Sequence, residues 1–136
     1  MYLLDTNICI YALKGKYPHL TQKLLSVPPE QIFISAITLS ELEYGAAKRK
    51  WSERTRQIMH AFLSNFSILA FNEEDAAVLG QLRAYLAAEG TPIGAYDAMI
   101  GAQGISRRLI VVTHNTKEFE RIPELPLEDW TEEQDA

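Results

Sequence analysis

A single cysteine, Cys9, excludes an internal disulfide, and its expected place is a core rather than a reactive site. The three histidines, His19, His60 and His114, fall in separate segments without metal-ligand spacing, so surface or capping roles are expected of them. No apolar run comes near the roughly 20 residues of a membrane span, and no basic segment leads into an apolar one at the N-terminus. A cytoplasmic location without membrane attachment is the expectation. Internal repeats and low-complexity tracts are lacking too, which leaves neither a fibrous nor a disordered class.

What is present suffices for one domain. A chain of 136 residues buries roughly 65 to 70% of the surface its unfolded form exposes, with no room for a second domain. The net charge of −5 argues at first against a nucleic-acid partner. Its distribution argues the other way: from Glu118 onward there are eight acids and one base, Arg121, whereas residues 1–117 hold 12 bases against 10 acids. The body of the domain is mildly basic, most densely at Lys48, Arg49, Lys50, Arg54 and Arg56. That cluster reads either as a solvated helix face or as a phosphate-contacting patch.

Met1-Tyr2-Leu3-Leu4-Asp5-Thr6-Asn7 reads as a buried parallel strand that stops on an acid and turns into a helix over about Thr6 to Lys14. Asp5 then lies where open α/β sheets bind ligands, although capping of the helix explains it equally well. Pro18 suits the first turn of a second helix with Leu20, Leu24 and Leu25 as its apolar face, ended by Pro28-Pro29. Ile32-Phe33-Ile34 is a second strand, and Ser35 to Thr38 leads into a helix bearing Leu39, Glu41, Leu42 and Tyr44. Ser52 opens a further helix with Ile58, Met59, Phe62 and Phe66 at near-helical spacing, and Ser67 to Phe71 is a strand. Asn72 caps the next helix, whose first-turn acids Glu73, Glu74 and Asp75 suit its dipole and need no catalytic role.

After breakers from Gly90 to Gly94, a helix carrying Asp97 ends near Arg107-Arg108. Leu109 to Val112 is the most continuously β-branched run, hence a central strand, and it finishes on Thr113-His114-Asn115. Leu125-Pro126-Leu127 is an edge strand, because proline cannot donate to a ladder. The alternation of strand and helix predicts a parallel sheet between helix layers. One domain over residues 1–130 and an acidic, frayed tail over 131–136 complete the expectation.

Parallel strands present their carboxyl ends at one edge, so Asp5 and Asn115 share it, and the early helix turns with Glu41 and Asp97 face it too. Carboxylates gathered in one cleft raise one another's pKa unless a cation is supplied. Oxygen donors without clustered cysteine or histidine suit Mg2+ or Mn2+, which commonly serve a phosphate ester. Plainer readings stand beside this one: Glu41 follows Thr38 at capping-box spacing, Glu43 is solvated, and Asn115 turns the chain. Asp97, flanked by Ala95-Tyr96 and Ala98-Met99-Ile100, needs a partner for its charge.

Four segments carry a resemblance: Leu3-Leu4-Asp5-Thr6-Asn7; Ile34 to Leu42 with Tyr44-Gly45-Ala46; Gly94-Ala95-Tyr96-Asp97-Ala98-Met99-Ile100; and Val112-Thr113-His114-Asn115-Thr116-Lys117-Glu118-Phe119. In this order and spacing they closely resemble the PIN-domain ribonuclease toxins of the VapC family, and the likeness runs through Leu127-Glu128-Asp129-Trp130. The resemblance implies a PIN-like three-layer α/β/α sandwich with a central, mainly parallel sheet. It implies a Mg2+-dependent endoribonuclease, with Mn2+ able to substitute, that stops translation by cutting RNA, often tRNA. By position, Asp5, Glu41 and Asp97 match the catalytic, metal-binding acids, Thr6 and Asn7 the polar pair after the first acid, and Thr113 the threonine closing the last strand. Asn115 stands where many relatives have a fourth acid, so a second ion is expected to need substrate phosphate, with Glu118 a secondary candidate acting through water. Lys48, Arg49 and Lys50 become RNA-contact candidates. A homodimer is implied, and a VapB-type antitoxin whose C-terminal segment fills a groove, in a larger hetero-oligomer where both are present. Apolar surface at Tyr44, Trp51, Met59 and Phe62 is available for such partners.

The chemistry expected is in-line attack of an activated water on a phosphodiester, leaving 5′-phosphate and 3′-hydroxyl ends. An aspartyl-phosphate phosphatase wants a second aspartate two residues after the first, where this chain has Asn7. A receiver domain needs an early acid pair and a late lysine, and neither is offered. A PIN module degenerated to binding RNA or protein has no use for the retained Asp5, Glu41 and Asp97. A PIN nuclease that processes RNA outside any toxin–antitoxin pair is the other enzymatic reading.

Overall fold

In the computed structural model, which describes residues 1–132, strand β1 (Tyr2–Leu4) takes the middle of a five-stranded sheet. On one side lie β2 (Ile32–Ser35) and β3 (Ser67–Leu69), on the other β4 (Ile110–Val112) and β5 (Leu127–Glu128), and every pairing is parallel. Side chains alternate across the pleat. Leu4, Ile32, Ile34 and Val112 face one core, and Leu3 and Val111 face the other with Phe33 against them. The register explains the pairing, since Leu3 stands beside Phe33 and Val111, and Leu4 beside Ile34 and Val112.

Helices α1 (Thr6–Lys14), α2 (Pro18–Ser26), α3 (Ala36–Lys48) and α4 (Glu53–Leu63) supply Ile8, Cys9, Leu20, Leu42, Ala46, Met59 and Leu63 to the first core. Helices α5 (Glu73–Glu89), α6 (Ala95–Arg107) and α7 (Thr116–Phe119) supply Leu82, Leu86, Ile100, Ala102 and Phe119 to the second. The three-layer arrangement is therefore as expected, with the sheet parallel throughout. Cys9 is fully buried, as its composition suggested. Gly104 lets α6 approach the sheet, because a Cβ there would stand 2.8 Å from both Val111 Cγ2 and Leu125 Cδ1. No helix among the described residues is long and apolar enough to cross a membrane.

Several local expectations need correction. Leu25 is 83% exposed; it follows Leu24 by one residue, about 100° around the helix, so the turn that buries one carries the other outward. Ile58 beside buried Met59 shows the same effect. Helix α3 is capped by Ser35, whose Oγ accepts from the Ile37 N–H at 3.0 Å, and not by Thr38. The capping-box explanation of Glu41 therefore fails. Phe66 lies past the end of α4 and packs edge-on to Phe62 at 5.2 Å. Strand β3 stops at Leu69 rather than Phe71, and α7 is a short helix that the pattern did not announce. Strand β4 is interior, but β1 holds the centre.

The C-terminal segment is tied down further than residue 130. Trp130 is buried edge-on to Tyr2 at 4.9 Å, and its Nε1 donates to Glu128 Oε1 at 2.9 Å. Thr131 is buried and donates its N–H to Asp129 Oδ1 at 2.9 Å, so fraying does not begin there. The rest of the expected tail, residues 133–136, lies outside the described residues.

The capping acid Asp75 is fully buried and joins α5 to α6. It closes a capping box with Asn72 and receives Arg107 Nε at 3.1 Å and Gln103 Nε2 at 3.2 Å. Burial opposes its charge, but hydrogen bonds from Arg107, Asn72, Ser106 and Gln103 outweigh that and hold its carboxyl below the ordinary value of 3.8. A carboxyl depressed in this way adds stability above its unfolded pKa and loses it as pH falls through the folded one. Asp75→Ala is expected to cost about 1–3 kcal/mol at neutral pH by removing an acceptor from the buried Gln103 amide and from Arg107. The difference from wild type should shrink as urea titrations move below about pH 4; a gap that widens on acidification contradicts the assignment.

Candidate active site

The chain moves one way across the sheet from β1 to β3, then recrosses through α5 and α6 to place β4 on the other side of β1. Such a reversal opens a crevice outside the carboxyl ends of the two strands where it occurs, here β1 and β4. Asp5 ends β1, and its N–H pairs with the Val112 carbonyl at 3.0 Å. Thr113 ends β4, and its N–H pairs with the Glu128 carbonyl at 3.0 Å. The crevice is thus walled by residues fixed through the ladder itself.

Asp5 does both things the sequence allowed. Its Oδ1 caps α1 by accepting from the Ile8 N–H at 2.9 Å, and the buried carboxyl also takes a hydrogen bond from Thr113. Burial is the largest influence on it, and with the nearby charges of Glu41 and Asp129 it prevails over those hydrogen bonds, so the pKa rises from 3.8 to about 6. Asp97 sits in the first turn of α6, where a helix dipole favours an anion. It too is pushed up to about 6, first by burial and then by Glu118, Asp5 and Glu41. Two carboxyls from segments 92 positions apart are therefore raised in one place, with the charge of Glu41 acting on both and that of Asp5 acting on Asp97.

Glu41, half-buried on α3, accepts from Thr6 Oγ1 at 2.6 Å, and Thr6 Oγ1 also lies 3.3 Å from Thr38 Oγ1. Thr6 thereby links the first helix to the third acid. Asn7 is exposed and lines the cleft beside them. Asn115 turns the chain, its N–H donating to Thr113 Oγ1 at 2.9 Å while its Nδ2 donates to Glu118 Oε2 at 2.6 Å. Glu118 has its other oxygen on the Gly94 N–H at 2.8 Å. Both oxygens are thus engaged in bracing α7 against the start of the helix that carries Asp97.

A cleft of about 750 Å³ runs from Thr6, Asn7 and Glu41 along α3 to Lys48 and Arg49. Lys50, the third base of the RNA-contact candidates, does not line it; it stands in the turn after α3 with φ of 52°.

Sequence reasoning missed Asp129. The edge rule that brought in Asn115 applies equally to β5, and Asp129 follows that strand directly. Its charge reaches Asp5, and bonds from Thr131 and His114 hold its own pKa below 3.8 against the effect of burial. His114, expected at the surface or in a cap, keeps 37% of its side chain exposed, pairs through Nδ1 with Asp129 Oδ2 at 2.9 Å and packs against Tyr11 and Tyr17. Among the described residues, the group of three metal-ligating side chains with ligand atoms all within 4.8 Å of one another is His114, Asp129 and Glu132. Asp5, Glu41 and Asp97 are spaced more widely but share one field.

Comparison with known proteins agrees with this geometry. The PIN-domain family matches residues 2–125. The tRNA(fMet)-specific endonuclease VapC of Salmonella typhimurium is 43% identical over 129 residues, covering 95% of this chain and 97% of that protein. Ribonuclease VapC2 of Rickettsia felis is 39% identical, covering 96% and 98%. Among solved structures, VapBC2 of Rickettsia felis bound to a promoter DNA fragment superposes with a TM-score of 0.89 at 37% identity, covering 95% of this chain and 98% of that one. DNA-bound VapBC of Salmonella typhimurium gives 0.89 at 43% identity, covering 95% and 97%. An acid-lined crevice at the sheet reversal, in a chain matched along nearly its whole length, has one family reading: this protein belongs to the PIN-domain family, in its VapC branch.

Proposed function

We propose that this chain is the toxin of a type II toxin–antitoxin pair, a Mg2+-dependent endoribonuclease that hydrolyses RNA phosphodiesters, tRNA foremost, and is neutralised by a VapB-type antitoxin. The observation that carries the reading is the pair Asp5 and Asp97, both raised to about 6 in one crevice. A buried carboxyl with donors enough for its charge has a depressed value, as Asp75 does. These two have too few donors for their charge, and an oxygen-only set in that state fits a hard divalent ion.

Asp5 and Asp97 are the residues to hold that ion, with Glu41 adding charge from the third side. Bound there, Mg2+ or Mn2+ supplies Lewis acidity toward a phosphoryl oxygen and makes water a stronger nucleophile. The chain's own residues do the rest. Thr113 orients the Asp5 carboxyl, Thr6 fixes Glu41, and Glu118 holds Gly94 and Asn115 so that α6 presents Asp97. Lys48 and Arg49 bind phosphates flanking the scissile one. The relatives' names, endonuclease and ribonuclease VapC, support the activity, and the VapBC complexes support the antitoxin. A second, apolar groove of about 300 Å³, lined by Ile10, Leu13, Trp51, Ile58 and Met59, suits an antitoxin segment. A homodimer belongs to the same reading.

Cleavage of tRNA should stop in EDTA, return with Mg2+, and leave 5′-phosphate ends. Asp97→Asn should lower kcat on the order of 10³-fold, and expression of Asp97→Ala should relieve growth arrest; arrest that persists in that variant, or cyclic-phosphate products, overturns the proposal.

Asp5 and Asp97 bind protons more tightly folded than unfolded. Their contribution to stability is therefore complete below about pH 4 and lost as pH rises through 6. Without metal the melting temperature should fall between about pH 5 and pH 7, and Mg2+ should raise it much more at pH 7 than at pH 5. An equal Mg2+ effect at both pH values contradicts binding at these carboxyls.

Glu118→Gln should lower kcat roughly 10-fold, as loss of a supporting contact does, yet keep the Mg2+-induced rise in melting temperature. Loss of that rise makes Glu118 a ligand instead.

A further inference from the structure

We propose that Tyr44 and Tyr96 are the base-stacking residues of this site, gripping unpaired nucleobases on either side of the phosphate to be cut and so selecting unstacked, single-stranded RNA. The inference rests on the nuclease reading above. Both rings line the 750 Å³ cleft together with Thr6, Asn7 and Glu41. They are 65% and 53% exposed, so neither is needed to fill a core. Each is joined to an acid of the site: Tyr96 directly precedes Asp97 on α6, and Tyr44 follows Glu41 by three residues, just under one turn of α3.

The spacing along α3 makes one wall of the cleft a graded surface. At about 1.5 Å per residue, Tyr44 lies about 4.5 Å and Lys48 about 10.5 Å along the axis from Glu41. Acid, ring and base thus follow in order. Lys48 Nζ sits 5.7 Å from the Tyr44 ring centroid, which places a cation at the ring where the next phosphate of a bound strand runs. Arg49 also faces the cleft, and Gly45 makes room for it: a Cβ at that position would stand 3.0 Å from Arg49 Nη1. An electropositive groove with aromatic faces is the arrangement that holds single strands, because stacking is open to every base and phosphate contacts track the backbone. Duplex RNA keeps its base faces covered by neighbours and cannot offer them to either tyrosine.

The test measures kcat and KM for Tyr44→Leu, Tyr96→Leu, Tyr44→Phe and Tyr96→Phe on an unstructured oligoribonucleotide, and on the same strand annealed to its complement. Sedimentation records the oligomeric state of every variant. The leucine variants should raise KM for the single strand roughly 5- to 100-fold, the range for loss of one base–aromatic stack, with kcat nearly unchanged. The phenylalanine variants should stay near wild type, and the duplex should resist all of them. Leucine variants with wild-type KM overturn the proposal, as do phenylalanine variants as impaired as leucine. A rise in KM that accompanies a changed oligomeric state also overturns it, because the rings then serve contact between copies. Asp97→Asn separates the two readings: cleavage that survives it removes the nuclease assignment, whereas full Asp97 dependence with unaffected KM removes only the stacking.

Discussion

Parallel pairing of β1 with β4 is the constraint on which the rest of this molecule depends. Because both strands run the same way, Leu4 beside Val112 brings the residues that follow them, Asp5 and Thr113, to the same edge. Because the chain leaves β1 in one direction and returns to β4 from the other, a crevice opens at that edge between them. An antiparallel β4 would send Thr113 to the opposite end of the sheet. The site is a consequence of strand direction before it is a consequence of any side chain.

On that scaffold, buried carboxyls meet two opposite fates. Asp75 is fully buried yet ionises readily, because Arg107, Gln103 and the Asn72 N–H all donate to it. Asp5 and Asp97 lie among other acids and are held near 6. A satisfied carboxyl locks α5 to α6, and an underserved one keeps a standing affinity for a cation at a cost in stability. Thr113 then orients Asp5, and Glu118 braces the start of the helix that carries Asp97, without neutralising either.

The cleft extends the same logic outward. Close to the strands it is acidic and narrowly braced; farther along α3 it becomes aromatic and then basic, through Tyr44 to Lys48 and Arg49. The overall negative charge of the chain hides this gradient, since the acids are concentrated after residue 117 while the basic cluster sits on a helix that begins at the site. The apolar groove beside Trp51 lies next to this wall, so a segment seated there is close to Glu41.

Order in the sequence determined much of this by itself. Hydrophobic period, caps and breakers placed every strand and all helices except α7 within a few residues, and β-branched runs bounded by polar residues required a parallel sheet with Asp5 at its edge. Those signals are local, so they survive without knowledge of neighbours. Tertiary structure decided what depends on meeting. It turned Leu25 and Ile58 outward, set Ser35 rather than Thr38 as the cap before Glu41, and tied Glu118 to Gly94 and Asn115. It also brought His114 to Asp129 from 15 positions away and raised the pKa of Asp5 and Asp97. Such properties belong to register, burial and mutual electrostatic field, and a field exists only once the charges that make it have been folded to within reach of one another.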